Sequence, residues 1–226
     1  MQLTGLGLYT FSQGAHVIGA KPQELRRWLQ GYSQLLHGKR RRSPPLWTTE
    51  LESSGLNGLS FHYLLEARFV KRFREYGVSL QTVRIAAAHA REALDNPYPF
   101  TCLSFQTDGK TIFLEAARES GEIALLDLPK KQYAFEEIIR PSLYAGIESD
   151  AERASRWFPE PNRRDIVLDP TIAFGKPIVI GTNIRTDILH DAYLAEDGDK
   201  RQVARQFEVE IEAVTAALRF EKRLAA

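Results

Sequence analysis

Ala15, Gly19 and Leu25 stand at offsets 0, +4 and +10 within the run from Tyr9 to Leu29. That spacing constrains the chain more than any other feature. An apolar residue before a tight turn must meet an apolar residue in the helix that follows, and a glycine between them takes positive φ without a Cβ clash. Ser12 is placed to cap a short first helix, and Pro22 is preorganised for the first turn of a second. The second helix turns Leu25, Trp28 and Leu29 inward and leaves Lys21, Gln23, Arg26 and Arg27 facing water. The offsets recur at Phe73, Gly77 and Val83 and again at Ala204, Glu208 and Val214. Three helix-turn-helix elements are expected, the last with glutamate where the turn would favour glycine.

Charge separates the three. Between Met1 and Trp47 seven cations face one acid, Glu24; that stretch carries +6, and with a net charge of +1 the remainder carries −5. Behind the first pair, Lys39, Arg40, Arg41 and Arg42 follow Gly38 and are closed by Pro44, Pro45 and Trp47. This reads as a wing whose cations lie along a phosphate backbone. Lys21, Gln23, Arg26 and Arg27 are the candidate reading residues, since Arg and Gln at a helix start can reach base edges. The second pair carries Arg84 and Arg91 against Glu92, a thin basic face able to touch the backbone. The third places Glu208, Glu210 and Glu212 where phosphates would repel them, which assigns it to protein contact.

Helices are expected over 61–76 and, capped by Ser79, over 80–94. From Tyr98 the period changes to two. Strands over 100–106 and 111–116 flank Asp108-Gly109, a strong hairpin signal, with a further strand over 123–128. Residues 135–143 read equally as strand or short helix. After the break at Trp157-Phe158-Pro159, short strands begin near Asp165 and Ile178, and helices follow over 186–196, 200–207 and 210–224. The fold class is α+β, mainly α. It comprises a DNA-binding region over 1–95, a β-rich connector over 96–160 and a small C-terminal module over 161–226, with three helices and short strands.

Other functions find little support. A single cysteine, Cys102, permits no intrachain disulfide and reads as a packed thiol. No membrane span or secretory signal is apparent, so a cytoplasmic location is expected. Asp187, His190 and Asp191 with Asp165 and Asp169 suggest a metal-dependent nuclease, yet Asp187 suits a helix N-terminus and no third acidic cluster accompanies them. The five histidines lack zinc-ligand spacing, and Gly5-Leu6-Gly7 lacks the strand and third glycine of a phosphate loop. No nucleophile elbow is present. No catalytic residue, metal or cofactor is expected, and binding is the favoured class.

The first module, through Tyr9-Thr10, Ala15, Gly19 and Leu25-Arg26-Arg27-Trp28, resembles the MerR-type winged helix-turn-helix. The last, through Asp169-Pro170, Phe174-Gly175-Lys176-Pro177, Gly181-Thr182, Val203 to Phe207 and Ala217 to Glu221, resembles a small domain of unknown function found in antitoxins encoded beside PIN-type toxins. It departs from that pattern after the Gly-Thr turn, where Asn183, Ile184 and Arg185 replace the common Arg and Pro. In this order the modules resemble a long VapB-type antitoxin of a VapBC pair. The resemblance implies a homodimer that blocks a PIN-domain ribonuclease and represses its own operon by binding operator DNA. Trp157 and Phe158, if exposed, would be aromatic anchors for the toxin. Arg185, Lys222 and Arg223 could face the acidic site expected of such a toxin. The competing reading is a stand-alone MerR-type regulator that responds to a small ligand.

Overall fold

A computed structural model of the chain describes residues 5–36, 39–47, 51, 55–122 and 143–225, and of Gln34, Leu36, Lys39 and Arg41 the backbone only. The described residues form a mixed α+β structure, mainly helical, with eight α-helices and three separate antiparallel strand pairs. In chain order these are α1 (Phe11–Ile18), α2 (Pro22–Gln30), β1 (Tyr32–Leu36), β2 (Lys39–Ser43), α3 (Phe61–Glu75), α4 (Leu80–Leu94) and α5 (Phe105–Glu119). Then come β3 (Ile147–Asp150), β4 (Arg153–Trp157), β5 (Ile166–Val167), β6 (Ile178–Val179), α6 (Thr186–Ala195), α7 (Lys200–Gln206) and α8 (Ile211–Leu224).

Residues 100–116 depart from the sequence expectation. Instead of a hairpin about Asp108-Gly109, the chain forms α5, because Phe105, Ile112, Phe113, Ala116 and Ala117 recur at helical spacing and are all buried. Asp108 falls in the first helical turn, where an acid is favourable. Gly109 lies under the Phe105 ring, 2.8 Å from where a Cβ would sit. Packing thus outweighs the turn signal. α5 lies along α4, whose Ala86, Ala87 and Ala90 meet its surface with small side chains. The strand expected over 123–128, and the undecided segment before Leu143, fall outside the described residues.

Ser79 caps α4 by accepting from the Thr82 N–H at 3.1 Å, as expected. At α1 the cap is Thr10 rather than Ser12. Thr10 Oγ1 accepts from the Gln13 N–H at 3.2 Å while Gln13 Oε1 accepts from the Thr10 N–H at 3.1 Å, a reciprocal box that Ser12, two residues further on and already inside the helix, cannot form.

One apolar core runs from Tyr9 through α1 to α5 and reaches Trp157 and Leu168, with an aromatic centre at Phe69, Phe73, Phe100 and Phe113. The segment expected to be a β-rich connector therefore shares this core and contributes a helix as well as the β3–β4 hairpin. Glu66 sits inside it, accepting the Thr101 N–H at 2.9 Å and the Phe100 N–H at 3.3 Å. Burial pushes its carboxyl up to about 8 in spite of those hydrogen bonds and the nearby Arg91, so it is largely protonated at neutral pH. A second core, centred on Leu189, Val203, Val214 and Phe220, holds β5, β6 and α6 to α8 together.

Candidate functional site

The basic surface is built from the turn outward. Gly19 closes α1 at φ 69°, and the Ala20 N–H reaches back to the Ala15 carbonyl at 2.8 Å. Pro22 then opens α2, with Glu24 accepting the Lys21 N–H at 3.3 Å. Leu25, Trp28 and Leu29 are buried, so Lys21, Gln23, Arg26 and Arg27 share the exposed side, as expected. The Arg26 guanidinium lies 5.6 Å from the Phe11 ring centre and that of Arg27 5.8 Å from Tyr32, which steadies both without neutralising them.

Gly31 lets the chain turn from α2 into the hairpin, since a Cβ there would come 2.4 Å from the Ser43 carbonyl. β1 and β2 pair antiparallel from Tyr32 opposite Ser43 to Leu36 opposite Lys39. The basic run is thus the outgoing strand. Arg40 and Arg42 are exposed on it, and Lys39 and Arg41 occupy alternate positions of the same strand. Arg84 and Arg91, expected to offer a thin basic face, instead brace the hairpin's exit. Arg84 donates to the Pro44 carbonyl and Arg91 to that of Leu46, each at 3.0 Å.

The C-terminal module repeats the turn geometry with other chemistry. Asp199 caps α7, accepting from the Arg201 and Gln202 N–H groups at 2.8 and 3.1 Å. Glu208 takes φ 54°, and the Val209 N–H reaches the Ala204 carbonyl at 3.0 Å. Glu208, Glu210 and Glu212 are exposed. Arg219 ties α8 to the approach of β5, donating at 2.9 Å to both Glu160 and Asp165.

The five residues considered as partner contacts differ in exposure and pairing. Trp157 and Phe158 are 3% and 1% exposed, because β4 and the bridge from Trp157 to Leu168 draw them into the interior. The anchor role that required their exposure is not available in this chain. Arg185 is paired with Asp187, and Arg223 lies 3.9 Å from Glu160 and over the Phe220 ring. Lys222 alone of the five is exposed with no ion pair among the described residues.

The sequence reading missed a different surface. Phe174 is 63% exposed and Leu194 61%, and Ile180, Ile188 and Ile211 also stand out from this module. Ala173, Phe174 and Gly175 form a turn of three consecutive positive-φ residues, at 49°, 54° and 77°. For alanine and phenylalanine that backbone costs about 1 kcal/mol each. The only cue in the sequence is the glycine at its end.

That turn also joins the two ends of the chain. The Leu8 N–H donates to the Phe174 carbonyl at 2.9 Å, the Tyr9 hydroxyl to the Gly175 carbonyl, and Lys176 to Gln13 Oε1. Burial, with a smaller contribution from Asp169, keeps the Tyr9 hydroxyl protonated and so a permanent donor. Beside the junction, a cleft of about 980 Å³ separates α1 from α6 and α8. Among the described residues no group of three or more His, Cys, Asp or Glu could hold a metal, and no helix is long and apolar enough to cross a membrane. Cys102 is buried, burial pushes its thiol up, and its Sγ donates to the Pro99 carbonyl.

Residues 166–220, from β5 into α8, match a family described as a protein of unknown function, DUF433. A curated protein of Mycobacterium tuberculosis, named "Putative antitoxin VapB45", is 26% identical over 194 residues, which span 80% of this chain and 81% of the relative. These similarities support an antitoxin family. The crystal structure of Rv2018 from Mycobacterium tuberculosis superposes with a TM-score of 0.64 at 19% identity, covering 96% of this chain and all of that one. The two proteins therefore share a fold over most of their lengths.

Proposed function

We propose that this chain is an antitoxin that blocks a PIN-domain ribonuclease with its C-terminal module and represses its own operon through a MerR-like winged helix-turn-helix. The observation that carries the reading is the basic face of α2 and β2. Lys21, Gln23, Arg26 and Arg27 stand together on the exposed side of α2, and the following hairpin presents Arg40 and Arg42 in the position of a wing. Such a helix suits the major groove, while the hairpin cations, with Lys39 and Arg41 on the same strand, grip phosphate and make affinity steeply salt-dependent. A homodimer would place two such faces on a palindromic operator.

Toxin capture is assigned to the DUF433 module. The turn between α7 and α8 and the start of α8 carry Glu208, Glu210 and Glu212, which disfavours DNA there, and the module's surface presents Phe174, Leu194 and Ile188. An exposed aromatic held on a strained backbone is the form an interface anchor takes. Lys222 is retained as a cation of the same module for an acidic partner.

Co-expression with the product of the adjacent gene tests the reading. The expected result is a stable complex with a small acidic nuclease, which Phe174→Ala together with Leu194→Ala weakens by at least about tenfold. Replacing Arg40, Arg41 and Arg42 with Ala should abolish the operator gel shift and leave that complex intact. Absence of any co-purifying nuclease, or loss of both activities in the Arg variant, refutes the assignment.

A further inference from the structure

The cleft beside the head-to-tail junction has the properties of a ligand site. Its walls come from two distant parts of the chain: α1 on one side, and the segment around Lys176 with α6 and α8 on the other. Clefts between modules are preferred places for small molecules, and this volume lies within the range such sites occupy. Most of the lining surface is apolar, with Val17, Pro177, Leu218 and Leu224 contributing beside the carbon stems of polar residues. Polar groups converge on it from both walls.

Their charges do not cancel locally. Asp187 is bound by Arg185, and Glu221 accepts from the Thr186 hydroxyl. Arg219 is held by Glu160 and Asp165. Lys176, Lys200 and Lys222 also line the cleft, and among the described residues none of them forms an ion pair with a carboxylate. Lys176 is the informative one. It is half-buried, its ammonium is held by the neutral Gln13 amide and lies 5.3 Å over the Tyr9 ring, and burial with the nearby Arg185 lowers its pKa against the opposing pull of Asp187. Asp187, the acid that acts on it, is ion-paired with Arg185, so the Lys176 ammonium keeps room for an anion.

We propose that this cleft binds a small amphipathic carboxylate, its charged end at Lys176 and Lys222 and its apolar body along Val17, Leu218 and Leu224. A ligand seated there touches α1 and α8 together. Its binding energy therefore adds to the contacts that hold the N-terminal helix pair against the DUF433 module. The proposal needs neither toxin nor operator, so it stands or falls separately from the antitoxin reading.

Calorimetric titration of the full chain with sodium decanoate and with 4-phenylbutyrate tests it, with decylamine as the charge-reversed control. At least one carboxylate should saturate at one per chain, and decylamine should not. Lys176→Gln should weaken the carboxylate by about tenfold, the effect of losing one charge-assisted hydrogen bond. Lys222→Gln, on an exposed side chain that cannot unfold the module, should weaken it by about threefold. Leu218→Trp should fill the cleft and abolish binding while thermal melting shows the chain still folded. The proposal is overturned if neither carboxylate saturates, if decylamine binds as well, or if folded Leu218→Trp binds like the unaltered protein.

Discussion

The α1–α2 pair and the α7–α8 pair are the same backbone device with opposite surfaces. In each, a residue of the first helix is buried at offset 0 (Ala15, Ala204), a positive-φ residue follows at +4 (Gly19, Glu208), and an apolar residue is buried at +10 (Leu25, Val214). The hydrogen bond that closes the turn also matches, from Ala20 to Ala15 at 2.8 Å and from Val209 to Ala204 at 3.0 Å. The α3–α4 pair repeats the pattern, with Gly77 at φ 82° and Val78 bonded to Phe73 at 3.1 Å. Shape therefore does not distinguish the three. Only what the exposed side of the second helix carries does so: cations on α2, arginines spent on the hairpin's exit on α4, acids at the start of α8.

The largest expected effect comes from breaking that distinction at its basic end. Arg26→Glu with Arg27→Glu leaves the buried side of α2 untouched and should lower operator affinity about a thousandfold in a gel shift, since two contacts are lost and two repulsions gained. Toxin capture should not change. Loss of capture as well would mean that the two faces do not act independently.

The two cores differ in a way that pH should expose. The larger contains Glu66, whereas Thr186 is the single buried polar residue in the C-terminal module among the described residues. A carboxyl raised from 4.5 to about 8 in the fold favours folding fully below pH 4.5, and that contribution is lost as pH rises towards 8. The melting temperature should therefore fall by about 10 °C between pH 5 and pH 9, and Glu66→Gln should flatten the slope. An unchanged slope in the variant would place the titrating group elsewhere.

The junction gives a smaller effect. A Cβ at Gly175 would lie 2.5 Å from the Tyr9 hydroxyl and 3.2 Å from the Gly7 Cα, at φ 77°. Gly175→Ala should cost about 3 kcal/mol in denaturant unfolding, from the clash and the left-handed backbone combined. A cost near zero would mean that the two ends are not held together by this turn.

What the sequence made legible was local. Gly19, Pro22, the Ser79 cap and the alternation of buried and exposed positions on α2 depend on neighbours a few residues away, and the structure agrees with each within a residue or two. Apart from the α1 cap, where Thr10 and Gln13 displace Ser12 within a single turn, the failures were decided at long range. The Asp108-Gly109 signal gave way because Phe105, Ile112 and Phe113 found partners on α4 and in the aromatic centre. β3 and β4 went unseen because Ile147 to Trp157 mixes charged and apolar residues with no clean alternation. The bond from Tyr9 to Gly175 spans 166 positions, and nothing local to either residue announces it. Of the candidate site, the cations of α2 could be read from helical spacing. The left-handed turn that leaves Phe174 exposed could not, because alanine and phenylalanine do not predict that conformation.

The turn itself offers the smallest and cleanest comparison. Space is not limiting at Gly19, where the nearest atoms to a Cβ are the end of Lys71 at 3.9 Å, so Gly19→Ala tests backbone conformation alone. Alanine in the left-handed region costs about 1 to 2 kcal/mol. Its lower freedom in the unfolded chain returns about 0.5 to 1 kcal/mol, which leaves a net loss of roughly 0.5 to 1 kcal/mol. Glu208→Gly is the reverse experiment at the equivalent position, φ 54°. It should gain roughly the same amount and raise the melting temperature by about 1 to 3 °C. If both changes move stability in these opposite directions, the glutamate at the third turn is strained backbone retained for its charge. If Glu208→Gly destabilises instead, the side chain is making a contact that offsets the strain, and the equivalence of the two turns ends at their hydrogen bonds.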